Sequence, residues 1–189
     1  TLEPNTPFHC TPPSLPDEDA SATMQERIEE VLAQHGYLHY ETSGFAKSGK
    51  QCRHNLNYWT FGDYLGIGAG AHSKLSFHDK IIRQTRHKHP NRYLEHAING
   101  EAIDQEWSIP KDELGFEFMM NALRLVDGFE LDLFEQRTGL SPMLINNKLK
   151  QAQEKGLIEQ KRSLENRILI KPTLLGQRFL NELLQLFLQ

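Results

Sequence analysis

Apolar residues recur along this chain in two rhythms, and the change falls near Ile109. Before it, apolar runs are short and are broken by polar, Gly- and Pro-containing turns. After it, helical spacing takes over. In the first half Met24, Ile28, Val31 and Leu32 stand at i, i+4, i+7 and i+8, which predicts an amphipathic helix from Asp19 to Gln34. Asp17, Glu18 and Asp19 suit the positive end of that helix, and Gly36 suits its stop. YLHYETSGFA reads as a strand entering a loop, with the polar Glu41, Thr42 and Ser43 at the strand end, where α/β folds place ligand contacts. SGKQCRHN reads as polar loop, and NYWTFGDYLGIGAG as an aromatic turn followed by a short buried strand. LSFHDKIIRQTRH has the form of a hairpin, and a helix from Pro90 to Asn99 follows. This order belongs to an α/β unit, and the continuous apolar runs fit a parallel sheet covered on both faces.

The second half is mostly helical. LGFEFMMNALRLVDG predicts one amphipathic helix ending at Gly128, and ELDLFEQRTG a shorter one ending at Gly139. Ser141-Pro142 supplies a cap and a Pro at the first helical position of a helix from Met143 to Lys155, which Gly156 stops. LIEQ and ILIK predict two strands around a polar turn at 163–166, and Thr173 opens a final helix with Leu174, Leu175, Phe179, Leu180, Leu183, Leu184 and Phe187 on its apolar face. Three helices, two strands and a helix is winged-helix order. The junction between the halves is expected in a linker from Gly100 to Pro110.

Composition narrows the class. The chain has 189 residues, 38% apolar and 24% charged, with net charge −4, so it reads as an ordinary globular chain of one large or two small domains and no general polyanion binder. No apolar run approaches the ~20 residues that span a bilayer, and no signal peptide opens the chain. Cys10 and Cys52, 42 positions apart, make no disulfide framework, which points to a reducing cytoplasm. The opening TLEPNTPF lacks Met and reads as the end of a strand entering a Pro-containing loop, so a fragment of a longer protein is expected.

Two adjacent motifs carry candidate chemistry. GIGAGA, Gly66 to Ala71, has the G-x-G-x-x-G/A spacing of a dinucleotide site, but HSKLSFHDK after it is no helix, so the pattern reads as a strand end where backbone must come close to something. That something is a ligand or another strand. In CRHNLNYW, Cys52 and His54 alternate and on an extended chain point to one side. Both are metal ligands, too few for a closed zinc site but enough for haem, with Tyr58 and Trp59 as aromatic walls. The plainer reading is a loop that buries Tyr58 and Trp59 and holds His54 by hydrogen bonds. The remaining histidines, His9, His35, His39, His72, His78, His87, His89 and His96, show no H-x-x-x-H pairing and read as surface residues. From Ser141 to Pro172 seven cations face three anions, a mildly basic stretch. With only Lys148, Lys150 and Lys155 on the presumed recognition helix, a structural winged helix is favoured over a DNA-binding one.

The string YETSGFAKSGKQCRHNLNYWTFGDYLGIGAGAHS resembles the HemW-type proteins, relatives of oxygen-independent coproporphyrinogen III oxidase in the radical SAM superfamily. The H-N-x-x-Y-W pattern at His54, Asn55, Tyr58 and Trp59 is a hallmark of that branch, and LEPNTPF, LPDED, LRLVDGFE and LLGQRFLNELLQLFL are similar to its C-terminal half. The resemblance implies an α/β fold: the last strands and helices of a partial (β/α) barrel over 1–105, then a winged-helix-like domain over 106–189. It implies S-adenosylmethionine and a [4Fe-4S] cluster in the intact protein, with Gly66, Ile67, Gly68, Ala69 and Gly70 on the S-adenosylmethionine side of the barrel. It implies a haem chaperone that hands haem to acceptor proteins, with Cys52, His54, Asn55, Tyr58 and Trp59 as haem contacts and His54 or Cys52 as axial ligand. The oxidase itself is the alternative, and a DNA-binding winged helix the alternative of another class; nucleic acid is not expected as a partner. The cluster motif C-x-x-x-C-x-x-C is absent, so this chain alone is expected to bind no cluster and to catalyse nothing. Open sheet edges would favour its self-association.

Overall fold

The computed structural model describes residues 4–162 and 165–188. The expected strand end at residues 1–3 lies outside them, as does half of the turn at 163–166. In chain order the elements are α1 (Pro7–Cys10), α2 (Glu18–Gln34), β1 (Leu38–Glu41), β2 (Gly44–Ala46), α3 (Arg53–Trp59), β3 (His72–Ser76), β4 (Ile81–Arg86), α4 (Pro90–Ile98) and β5 (Ile103–Ser108). Then come α5 (Leu114–Ala122), β6 (Phe129–Glu130), α6 (Leu131–Thr138), α7 (Met143–Glu154), β7 (Ile158–Arg162), β8 (Ile168–Pro172), α8 (Leu174–Arg178) and α9 (Leu180–Gln185).

The caps of α2 and α8 are as read from the sequence, while in α7 the N-cap is Pro142 rather than Ser141, which still bonds the first turn. Asp17 accepts the Ala20 N–H at 2.7 Å, Ser141 Oγ accepts the Met143 N–H at 3.3 Å, and Thr173 Oγ1 accepts the Gly176 N–H at 3.1 Å. Gly139 and Gly156 take left-handed φ values of 69° and 68° past their helix ends.

The expected parallel sheet is not there. Among the described residues every strand pair is antiparallel: the β1–β2 hairpin, a β3–β4–β5 sheet and a β6–β8–β7 sheet. The reason is the connection. Phe77 to Lys80 turns the chain directly from β3 into β4, whereas a parallel pair needs a crossover of about a dozen residues. In β4 the apolar run is only Ile81 and Ile82, and the polar Gln84 and Thr85 are buried beside them. The expected linker holds β5, which pairs with β4 from Ile82 opposite Ser108 to Thr85 opposite Gln105. All six β5 residues are exposed, so no apolar rhythm marks this edge strand.

One core binds the second half together. Phe118 sits at its centre, fully buried, edge-on to Phe61, Phe129 and Phe134 at ring distances of 5.8, 5.2 and 5.2 Å. Leu149, Ile170 and Leu183 pack around it, and Phe61, Ile81 and Ile109 tie the first half in. Such edge-to-face pairs add about 0.5–1.5 kcal/mol each beyond burial. The final helix is two helices, broken at Phe179 (φ −111°, ψ 45°). The apolar face of α2 is formed but not covered: none of its residues is buried, and Arg178–Glu26, 2.8 Å, links it to α8.

Candidate functional site

The stretch CRHNLNYW is helix, not extended loop. Cys52 is the N-cap of α3 and His54 its second residue. Two positions on a helix lie ~200° apart around the axis, so Cys52 and His54 do not share a side as an extended chain would require. Both are exposed. Helical spacing instead groups Asn55, Tyr58 and Trp59 on the inward face at i, i+3 and i+4.

Each of those three is held. Asn55 Nδ2 donates to the Tyr40 hydroxyl at 3.3 Å. Tyr58 stacks on Tyr64 at 4.2 Å, and the Tyr64 hydroxyl accepts from Arg83 Nη1 at 3.0 Å. Burial first, and Tyr64 beside it second, push the Tyr58 hydroxyl up to about 12. Trp59 lies under the Arg124 guanidinium at 4.3 Å, and Arg124 Nη2 reaches Glu41 Oε2 at 3.7 Å. Glu41 is 2% exposed and also accepts from the Ser43 N–H at 3.2 Å. Glu41, Thr42 and Ser43 therefore close the β1–β2 hairpin against the segment after α5, where the Thr42 N–H donates to the Arg124 carbonyl at 3.0 Å. Trp59 Nε1 is buried and has no hydrogen-bond acceptor. His54 stays on the outside, its ring edge-on to Tyr58 at 4.9 Å.

The chain leaves α3 through a tight turn. Phe61 takes φ 55°, a left-handed conformation held by its burial in the core. A Cβ on Gly62 would stand 2.1 Å from Asn57 Oδ1, which pins that glycine to the end of the helix. Sequence reasoning missed the residue that fastens this turn. Lys74, 2% exposed, donates from Nζ to the Phe61 carbonyl (3.0 Å), Asp63 Oδ1 (3.0 Å) and Ser76 Oγ (3.1 Å) and lies over the Phe61 ring. Burial lowers the Lys74 ammonium despite its Asp63 partner. Burial would raise Asp63, but hydrogen bonds from Ser76 and Lys74 hold it below its ordinary value. The two shifts disagree on whether the pair is favourable. The carboxylate gains from it, and the ammonium is retained at a net desolvation cost.

Gly66 to Gly70 form a loop rather than a buried strand: Leu65 is 63% and Ile67 82% exposed, and the one bridge is Tyr64 to Lys74. What the backbone approaches is another strand. A Cβ on Gly66 would lie 2.1 Å from the His72 carbonyl oxygen of β3. The three glycine N–H groups are engaged within the fold, Gly66 with Ser73 Oγ (2.9 Å), Gly68 with the Tyr93 hydroxyl (3.2 Å) and Gly70 with the His87 carbonyl (2.9 Å). A cofactor reaching this loop would meet the exposed Ile67 and Ala69. The histidines divide. His87 is buried, 4.2 Å ring to ring from His96 and with Nδ1 2.9 Å from Asp104 Oδ1, and His39 stacks on Phe45. His9, His35, His72, His78 and His89 are exposed, as expected.

The donor sets separate the implied cofactors. Among the described residues no group of three His, Cys, Asp or Glu side chains could hold a metal ion, and Cys10 and Cys52 are both exposed and free. This chain does not fit a [4Fe-4S] cluster. Haem asks for only one or two axial donors, and an exposed His54 flanked by Tyr58 fits that need. No helix among the described residues is long and apolar enough to cross a membrane.

Comparison with known proteins agrees with this architecture. The HemN C-terminal domain model matches residues 109–164. The chain is similar in fold to a structure titled "Coproporphyrinogen III oxidase (HemN) from Escherichia coli is a Radical SAM enzyme", with TM-score 0.62, 17% identity, 92% of this chain and 42% of that chain covered. Its fold is thus mixed α/β, resembling the HemN C-terminal region, with no closed barrel among the described residues. The relatives include proteins that bear the name "Heme chaperone HemW". That of Haemophilus influenzae is 46% identical over all of this chain and 47% of its own length, that of Escherichia coli 40% over all and 48%, and that of Buchnera aphidicola subsp. Schizaphis graminum 39% over all and 48%. The chain spans about half the length of these relatives. It matches the C-terminal portion of HemW-type proteins.

Proposed function

We propose that this chain serves, within an intact HemW-like protein, as the haem-contacting half of a haem chaperone that passes haem to acceptor proteins in the cytoplasm. The observation that carries the reading is the two-sided α3. Asn55, Tyr58 and Trp59 anchor one side of the helix, while the His54 imidazole and the Cys52 thiol stand free on its exposed surface. Similarity over the whole of this chain, and about half the length of each relative, to proteins named heme chaperones supports it. His54 is the first choice of axial ligand, because Tyr58 fixes its ring; Cys52 is the second. Haem, when bound, supplies an iron whose coordination changes the visible spectrum.

S-adenosylmethionine and a [4Fe-4S] cluster belong in this reading to the intact protein, with residues 66–70 facing the S-adenosylmethionine side through Ile67 and Ala69. The chain divides near residue 105, and 106–189 is a winged-helix-like docking domain, as the order α5, α6, α7, β7, β8 suggests. The exposed β5 edge offers a route to self-association. The likeness to the oxidase structure keeps oxygen-independent coproporphyrinogen III oxidase as second reading; decarboxylation of the porphyrinogen with S-adenosylmethionine turnover would favour it. Haem titration of the intact protein and of His54→Ala and Cys52→Ala variants tests the chaperone reading. Weakened binding with a shifted Soret band is expected, and unchanged affinity and spectrum in both variants would overturn the ligand assignment.

A further inference from the structure

A cleft of about 730 Å³ opens between the β3–β4 turn, the β5–α5 junction and the α6–α7 junction. That volume lies in the range of small-molecule sites, about 300–1,000 Å³. Its floor is apolar and rigid: Ile81, Ile109 and Leu114 are buried members of the core. Its rim is not. Lys80, Lys111 and Arg137 reach it from three different segments, against Asp79 as the one lining acid. The chain as a whole carries net charge −4, so this accumulation runs against its average.

Elsewhere cations that line a buried surface are partnered: Lys74 with Asp63, Arg83 with Glu117, Arg124 with Glu41. Among the described residues Lys80, Lys111 and Arg137 have neither an ion pair nor a side-chain hydrogen bond. An apolar floor under three unpartnered cations has the chemistry of a site for an apolar anion. Dense phosphate charge suits a helix N-terminus with convergent N–H groups. Here two helix ends of opposite sign line the cleft, the N-terminus of α5 at Leu114 and the C-terminus of α6 at Thr138 and Gly139, so the helix dipoles offset and leave no net positive pole. Separated carboxylates, each met by its own side-chain cation, fit better, and the Arg137 fork suits one of them bidentately.

We propose that this cleft binds an apolar molecule bearing two carboxylates, its body on Ile81, Ile109 and Leu114 and its carboxylates among Lys80, Lys111 and Arg137. Two sources share that chemistry, a tetrapyrrole with paired propionates and a long-chain dicarboxylate. The tetrapyrrole form rests on the haem reading above, but the cleft lies apart from α3 and shares no lining residue with it.

The test titrates the intact protein with iron-free protoporphyrin IX, with its dimethyl ester and with decanedioate, by porphyrin fluorescence and calorimetry. Without iron, axial ligation by His54 or Cys52 contributes nothing. Lys111→Gln with Arg137→Gln, both exposed and outside the core, is expected to weaken protoporphyrin by tenfold or more, about one charge-assisted contact. His54→Ala should leave this binding unchanged, and the ester should bind the parent as poorly as the double variant binds the diacid. Decanedioate binding with the same Lys111 and Arg137 dependence, in the absence of porphyrin binding, supports the site and assigns it to the chain-like source. Failure of both acids to bind, or equal binding by the double variant, overturns the proposal. Haem affinity lost in His54→Ala while porphyrin affinity persists keeps both readings. Haem affinity unmoved by His54→Ala and Cys52→Ala but lost in the double variant sinks the axial assignment and leaves the cleft.

Discussion

Replacing Gly66 by Ala tests what the GIGAG glycines are for. Gly66 has no positive φ, so alanine meets no backbone strain there; the obstacle is space. The new Cβ would lie 2.1 Å from the His72 carbonyl oxygen and 2.7 Å from its carbon, where ordinary contact starts at 3.4 Å. The obstructing atoms are backbone of β3, which is paired along its length to β4 and cannot swing aside as a side chain would. Forcing the loop outward costs about 1–3 kcal/mol as overpacking. The same movement stretches two hydrogen bonds, Gly66 N–H to Ser73 Oγ (2.9 Å) and Arg86 Nε to the Gly66 carbonyl (3.2 Å), each worth about 1 kcal/mol. The expected loss is about 3 kcal/mol, or ~6–12 °C in Tm for a chain of this size. Gly68→Ala is the contrast: φ is +107° but no atom lies within 4 Å, so it costs only the conformational strain, about 1–2 kcal/mol. Urea unfolding followed by circular dichroism, without any ligand, measures both. If Gly66→Ala stays within ~0.5 kcal/mol of the parent while Gly68→Ala costs more, the close approach to β3 is not what fixes Gly66, and a ligand-side role regains its place.

Four further outcomes follow from the same contacts. Phe118→Ala empties the centre of the aromatic cluster and should cost about 3–5 kcal/mol in denaturant unfolding; a loss under about 1 kcal/mol would mean that the cluster does not hold the halves together. Arg124→Ala uncovers Trp59 and leaves the buried Glu41 without its cation, which should cost about 2–4 kcal/mol and shift the Trp59 emission to the red. Tyr58, raised to about 12 against 10.0 when unfolded, contributes stability that is complete below about 10 and fades as pH rises through about 12; an ultraviolet pH titration should show a late tyrosine that disappears in Tyr58→Phe. Asp63 has the opposite sign: its depressed carboxyl contributes above 3.8 and loses that contribution as pH falls through the lower folded value, so Asp63→Asn should flatten the acid limb of a stability profile.

The second half was readable because each of its breaks is local chemistry. Gly139, Gly156, Ser141-Pro142 and Thr173 set their boundaries with atoms only a few residues away. The first half was harder because its decisive facts are contacts across the chain. Nothing within IDQEWS says strand; its partner β4 does, through Trp107 opposite Arg83 and the Gln84–Glu106 side-chain bond of 2.6 Å. Buried Gln84 and Lys74 look like surface letters in a string, and only the placement of Glu106, Asp63 and Ser76 makes their burial tolerable.

The site shows the same limit in sharper form. Its candidate residues could be named from the string, but their arrangement could not. CRHNLNYW has no apolar stripe long enough to announce a helix, so period-two alternation put Cys52 and His54 on one side. A seven-residue helix is marginal by itself, and α3 is held by what its inward face finds: Tyr40 for Asn55, Tyr64 for Tyr58, Arg124 for Trp59. That arrangement makes a stronger candidate than the extended one. An extended loop would have offered Cys52 and His54 together but left both to move freely. The helix gives up the pairing and fixes His54 against Tyr58 at 4.9 Å on an anchored element, and a single oriented donor is what an axial haem ligand requires. Loosening the anchor without touching the donor distinguishes the two designs: Tyr58→Ala keeps the His54 imidazole but frees its orientation. Oriented ligation predicts a broadened Soret band and haem affinity in the intact protein weaker by roughly tenfold, about 1.4 kcal/mol. Unchanged affinity and band shape in Tyr58→Ala, with His54→Ala still impaired, would mean that the imidazole alone suffices and that the helix is mere support.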